Sequence, residues 1–322
     1  MAAISLHAGA EKFWSDALIT RQADEFCASI PTEVRRIQAD AVNAAADGNL
    51  DGLMAVRAGR NAPFTPSDGV RMTAVTDVLR LYEPTDANGG AMPLLIYLHG
   101  GGWAMGSLNS CARYCDAMAA TGRMKVLAVE YRLAPEFPYP AALTDCIAAV
   151  NYAVEHADKL GIDPARISVG GDSAGGNLSI ATALAPECAG KIASLVLFYP
   201  VTKSFADGSE SWSTYADGYG LDAALMDAFN RAYIGTVPAD NAGVNVGLCD
   251  QELLATLPPA LLVAAGRDIL CDQGREFASL LQSDRITRIE FPGAVHLFIT
   301  VPGQDEAFRA AVQMSADFVT NR

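Results

Sequence analysis

The stretch VGGDSAGGNLSIATAL, residues 169–184, sets Ser173 among glycines and alanine and runs directly into an apolar helical pattern. Gly171-Asp172-Ser173-Ala174-Gly175 fits G-x-S-x-G, follows an apolar strand pattern at 166–170 and opens a helix from 174. In that setting the spacing predicts a sharp strand-to-helix turn. The residues two before and two after the serine would approach each other, so only glycine fits at 171 and 175. The hydroxyl would stand at the carboxyl edge of a sheet, facing the amino-terminal dipole of the new helix.

Outward from this turn the chain alternates. Short, mostly apolar runs at 94–100, 126–132, 166–171, 194–200, 260–266 and 286–293 read as strands. Helical patterns lie at 107–121, 140–159, 174–185, 272–282 and 304–319, and 70–83 alternates in the manner of a half-buried strand pair. Near-continuous apolar strands alternating with helices imply an α/β fold with a mainly parallel sheet covered on both faces. Residues 10–60 lack strand patterns, and 32–59 reads as two helices broken near Gly48. Between Pro200 and Pro259 no central strand is visible, and a connection of that length is expected to be an inserted subdomain or lid.

A second glycine cluster, LHGGGW at 98–103, follows the strand at 94–98. Three glycines let backbone N–H groups approach a ligand, as the oxyanion of an acyl-transfer intermediate requires, and the hole is assigned to the N–H groups of Gly101, Gly102 and Ala174. A flexible loop or a phosphate cradle are the other readings of such a stretch, but for the latter no G-K-S/T follows. Serine needs a base. Of four histidines, His7 lies in the N-terminal extension, His99 is placed to brace the glycine loop, and His156 falls on a solvated helix face. His296 follows the last strand at the same sheet edge as Ser173 and is the expected base. GRDILCD at 266–272 supplies the acid: Asp268 is favoured because it lies nearer the strand end, while Asp272 resembles the N-cap of the next helix. Trp103, Trp212, Tyr215 and Tyr219 are candidate substrate-binding wall residues, with packing as the alternative for each.

Bulk properties exclude several classes. The 322 residues carry a formal charge of −14, which disfavours nucleic acid and anionic membrane surfaces as partners. No window approaches a membrane span and no signal-peptide pattern opens the chain, so a cytoplasmic protein is expected. The seven cysteines include no C-x-x-C pair. Cys111 and Cys115 could share a helix face, but small buried residues are the better reading, and no metal is expected. The edge near 286–291 could pair with a second subunit to form a homodimer.

With these residues in hand, the sequence resembles the hormone-sensitive-lipase-like branch of the α/β-hydrolases, which includes bacterial acetyl esterases and carboxylesterases. The matching pieces are HGGGW (99–103), YRLAPEFPYPAALTD (131–145), GDSAGGNL (171–178), GRDILCD (266–272) and HLF (296–298), in the family's order. The resemblance implies a mainly parallel eight-stranded sheet and a helical cap. The N-terminal segment 1–60 and the insertion 204–250 would build that cap, over a catalytic core of 61–203 and 251–322. It also implies hydrolysis of small-molecule carboxylic esters with short to medium acyl groups, acetyl esters among them, by Ser173, His296 and Asp268 without a cofactor. Asp172 inside the nucleophile motif is typical of this branch, and the YRLAPE segment is expected to brace the oxyanion loop. Family members commonly carry Pro after the triad aspartate and Gly after the triad histidine, where this chain has Ile269 and Leu297. An amidase or arylformamidase could use the same machinery, and a non-catalytic small-ligand receptor could keep the fold.

Overall fold

Alternation along the strands decides where each side chain goes. In the computed structural model, which describes residues 12–86, 89–238 and 240–321, strand β3 (Met92–Leu98) sends Leu94, Ile96 and Leu98 to one face of the sheet and Leu95 and Tyr97 to the other. The strands β1 (Val70–Thr76), β2 (Leu79–Pro84), β4 (Lys125–Val129), β5 (Ile162–Asp172), β6 (Ser194–Phe198), β7 (Ala260–Arg267) and β8 (Ile286–Val295) complete the sheet. Their order is β1-β2-β4-β3-β5-β6-β7-β8; the β1–β2 and β2–β4 pairs are antiparallel, and every pair from β4 onward to β8 is parallel. Double-sided burial explains why the parallel strands are apolar throughout.

Three helices precede the sheet: α1 (Asp16–Ser29), α2 (Thr32–Ala46) and α3 (Asp51–Arg60). Gly48, at φ +95°, makes the break between the last two, as the sequence predicts. Helix α4 (Ala112–Ala120) lies between β3 and β4, α5 (Ala141–Glu155) and the short α6 (Ala157–Leu160) between β4 and β5, and α7 (Ala174–Leu184) follows β5. The long gap after β6 holds α8 (Glu210–Thr214), α9 (Ala223–Ile234) and α10 (Gln251–Leu254), with no strand among its described residues. Helices α11 (Cys271–Leu280) and α12 (Asp305–Thr320) follow β7 and β8. Apolar residues of α5, α7 and α11 join the core on the first face, and those of α4 and α12 join the second.

Two outcomes of this topology position the site. From β3 the chain steps one way to β4 and then back past β3 to β5, so the crevice where ligands bind in such sheets lies at the carboxyl ends of β3 and β5. Those ends carry the glycine loop and Ser173, and they are in register, Leu98 opposite Gly171. Ion pairs then tie the helices before the sheet to the insertion. Arg35 on α2 bonds Asp217 and Asp222, and Arg231 on α9 bonds Asp47.

Candidate active site

Ser173 sits at φ +55°, ψ −118°, a region that non-glycine residues avoid. Holding it there costs on the order of 1–3 kcal/mol, which the surrounding structure must over-determine. Its N–H donates to the Phe198 carbonyl at 2.9 Å, and its own carbonyl accepts from Asn177 and Val201. A Cβ on Gly175 would overlap the Leu98 carbonyl oxygen, and one on Gly171 would collide with both that oxygen and the Gly175 backbone. The crowding of small residues around Ser173 thus follows from the width of the turn.

β7 and β8 end side by side, and the residues that follow them meet. Asp268 Oδ2 and His296 Nδ1 are 2.5 Å apart, with both side chains almost completely buried. Asp268 Oδ1 also accepts the Leu270 N–H. Tyr199 lies against the imidazole at 4.3 Å between ring centroids. Asp272 is elsewhere. It is the second residue of α11, two past the N-cap Leu270 rather than the N-cap itself, and its carboxylate accepts from Ser211 N and Arg275. Between Asp268 and Asp272, only Asp268 meets the histidine.

Gln304 was invisible to sequence reasoning. Buried at the start of α12, it accepts from Val295 N with its amide oxygen and donates to the His296 and Val295 carbonyls with its nitrogen. No motif marks it, because its partners are backbone groups eight and nine residues away. Leu297 takes φ +73° and so bears left-handed strain of about 1 kcal/mol or more.

The glycine loop is held from several directions. Asp172 Oδ1 accepts both the Gly100 N–H at 3.0 Å and the Tyr97 hydroxyl at 2.9 Å, and burial pushes this carboxyl's pKa up despite those donors. Tyr131 donates to the His99 carbonyl at 2.6 Å, and Arg57 on α3 reaches the Ala104 and Ala134 carbonyls and Glu136. The YRLAPE segment therefore braces this loop, as the resemblance implied. Gly102, at φ +59°, lies against the Phe229 ring so closely that a Cβ would overlap it. The N–H groups of Gly101 and Gly102 donate to no described residue, and Ala174, as the first residue of α7, has no intrahelical acceptor. Unpaired N–H groups beside a buried nucleophile are the donor set that an oxyanion would satisfy.

His99 is completely buried, stacked on Tyr131 with Nδ1 at 2.9 Å from the Gly100 carbonyl, and burial lowers its pKa to about 4. Because the unfolded chain binds a proton near pH 6.5 and the folded one does not until about 4, His99 contributes stability above pH 6.5 that is lost as pH falls through that window. The expected consequence is that the stability difference between wild type and His99→Gln shrinks by roughly 3 kcal/mol between pH 7 and pH 4. Urea melts across that range check it, and a constant difference would contradict a neutral buried His99.

Ser173, His296, Gly101 and Gly102 line one chamber of about 30 Å³, with walls supplied by Met105, Leu221, Leu225, Phe229 and Leu297. The four aromatic residues expected as walls do not line it. Trp103, at φ +57°, turns beneath the loop and stacks on Tyr233 at 4.5 Å, and Trp212 is packed in the core. Tyr215 and Tyr219 contact each other at 4.9 Å. Helical phase within α9, rather than proximity in sequence to the glycines, chose the walls. Of the remaining histidines, His156 stacks on Tyr152 at the end of α5, and His7 lies outside the described residues. No cluster of metal-ligating side chains exists among the described residues, and Cys111 and Cys115 are buried free thiols.

Comparison with known proteins agrees with this fold. A family model described as the alpha/beta hydrolase fold matches residues 95–300. The chain is 39% identical to the carboxylic ester hydrolase LipN of Mycobacterium tuberculosis over 63% of its length, a match that spans 55% of LipN. Carboxylesterase NlhH of the same organism is 37% identical, over 72% of this chain and 76% of NlhH. An esterase of Rhizomucor miehei superimposes with a TM-score of 0.76 at 28% identity, covering 88% of this chain and 96% of that one. The chain belongs to the α/β-hydrolase family, in its hormone-sensitive-lipase-like branch.

Proposed function

We propose that the protein is a serine carboxylic-ester hydrolase working through an acyl-enzyme. The observation that carries this reading is the convergence on one small chamber of a strained serine at the carboxyl edge of the sheet, a histidine held by a buried carboxylate, and two unpaired glycine N–H groups. Ser173 Oγ attacks the ester carbonyl while His296 Nε2 takes its proton. Asp268 accepts from Nδ1–H, which fixes the tautomer and stabilises the imidazolium. The carbonyl oxygen, now an oxyanion, accepts from Gly101, Gly102 and Ala174 N–H. His296 then gives the proton to the leaving alkoxide oxygen, and the C–O bond to the alcohol breaks. Water attacks the acyl-serine, losing its proton to His296, and the acid departs as Ser173 Oγ regains a proton. The cycle needs only these groups and water.

The size of the chamber beside Ser173 supports short acyl groups. Its volume of about 30 Å³ fits a group of one or a few carbons before it meets Leu221, Leu225 and Phe229. Wild-type rates on p-nitrophenyl acetate, butyrate, octanoate and palmitate are expected to fall steadily with length, and a fluorophosphonate is expected to block turnover by modifying Ser173, located by peptide mass. Inactivity toward every ester, or a phosphonate adduct on another residue, would overturn the reading.

A further inference from the structure

Gln38, Arg60, Gly220 and Leu297 line both the chamber at Ser173 and a larger outer cavity of about 370 Å³, so they form the junction between the two. Two of the four are polar, one from α2 and one from α3. Arg57, one turn earlier on α3, is neutralised by Glu136 and two carbonyls, and Arg35 on α2 by two aspartates. Arg60 has no hydrogen bond or ion pair to any described residue, and the Gln38 side chain has no hydrogen bond to one either. Arg60 lies in the wall of the chamber that Ser173 and His296 also line, and its charge acts on His99, Asp172 and Tyr199. Although Arg60 keeps some surface at the concave mouth, its surroundings desolvate it enough to lower its pKa. An unpaired, partly desolvated cation is unfavourable until an anion occupies its fork.

The other walls of the chamber are apolar, so the ligand that satisfies this junction has an alkyl or aryl body and one acidic group. We infer that Arg60, assisted by the Gln38 amide, selects esters that carry a free carboxylate, binding that carboxylate at the junction while the ester carbonyl lies at Ser173. This rests on the ester-hydrolase reading above. The excess of acidic residues over the whole chain repels anions at long range, so the preference originates at this one position.

The test uses two matched pairs of esters, each corrected for spontaneous hydrolysis. p-Nitrophenyl hemiglutarate against p-nitrophenyl pentanoate places the charge on the acyl side, and 4-acetoxybenzoate against its methyl ester places it on the leaving group. In wild type at low salt, kcat/KM is expected to favour the charged member of one pair, which identifies the side that reaches Arg60. Arg60→Gln is expected to lower that ratio by about tenfold or more, and Arg60→Lys to restore part of it. Added salt is expected to reduce the wild-type ratio, and this arm decides the matter if the glutamine variant does not fold. Wild type favouring the neutral ester in both pairs, a ratio insensitive to salt, or Arg60→Gln slowing both members equally would overturn the inference. If neutral esters are turned over without any preference for charge, Arg60 alone is misread; if no ester is turned over, the Ser173 reading fails with it.

Discussion

Ser173→Ala and His296→Ala are each expected to lower kcat on p-nitrophenyl acetate by about 10⁴- to 10⁶-fold, with the double variant scarcely slower than either single one. The reason is that, in the proposed cycle, the two side chains act in one step. Without His296 the serine hydroxyl keeps its proton and is a poor nucleophile; without Ser173 the histidine has nothing to activate but water. Residual activity would come from the Gly101, Gly102 and Ala174 donors, which neither substitution removes. Additive losses in the double variant would mean that the two residues act independently, contrary to a shared proton transfer. Binding of substrate is expected to change far less than kcat, since neither group contributes to the apolar walls.

Gly175→Ala is expected to destabilise the fold by about 4 kcal/mol or more, enough to abolish soluble expression or lower Tm steeply. The added methyl would overlap the Leu98 carbonyl oxygen and crowd that of His99, both rigid backbone at the end of the central strand. Relief by moving β3 would break its register with β5, and relief by moving the turn would displace Ser173. Gly274→Ala on α11 provides the contrast. Its Cβ would meet nothing within 4 Å, and replacing a helical glycine by alanine is expected to stabilise by about 0.5–1 kcal/mol. Melting curves of the two variants separate crowding from a general intolerance of alanine; wild-type stability for Gly175→Ala would refute the account of the turn.

What could be read from the chain beforehand divides by the range of the constraint. The strands were legible because double-sided burial writes an apolar run, and Ser173 because its turn imposes small residues within two positions. His296 and Asp268 were reachable from where β8 and β7 end. Asp268 is favoured over Asp272 by its place nearer the strand end, and the chain's path after Arg267 brings Asp268 alone to His296. Trp103 misled: adjacency to the glycine loop suggested the pocket, whereas φ +57° turns the ring onto Tyr233. Phe229, Arg57 and Gln304 work through contacts dozens of residues away or through backbone partners, and neither leaves a local pattern.

The clasp that Gln304 places on Val295 and His296 has a consequence for the order in which this protein comes into being. During synthesis the nucleophile turn emerges with Ser173, and the central strands beside it can pair while the rest of the chain is still being made. His296 arrives more than a hundred residues later, and its backbone is fastened only when the first turn of α12 is out as well. A nascent chain can therefore have its sheet largely built and still lack the fastened His296 backbone until α12 docks.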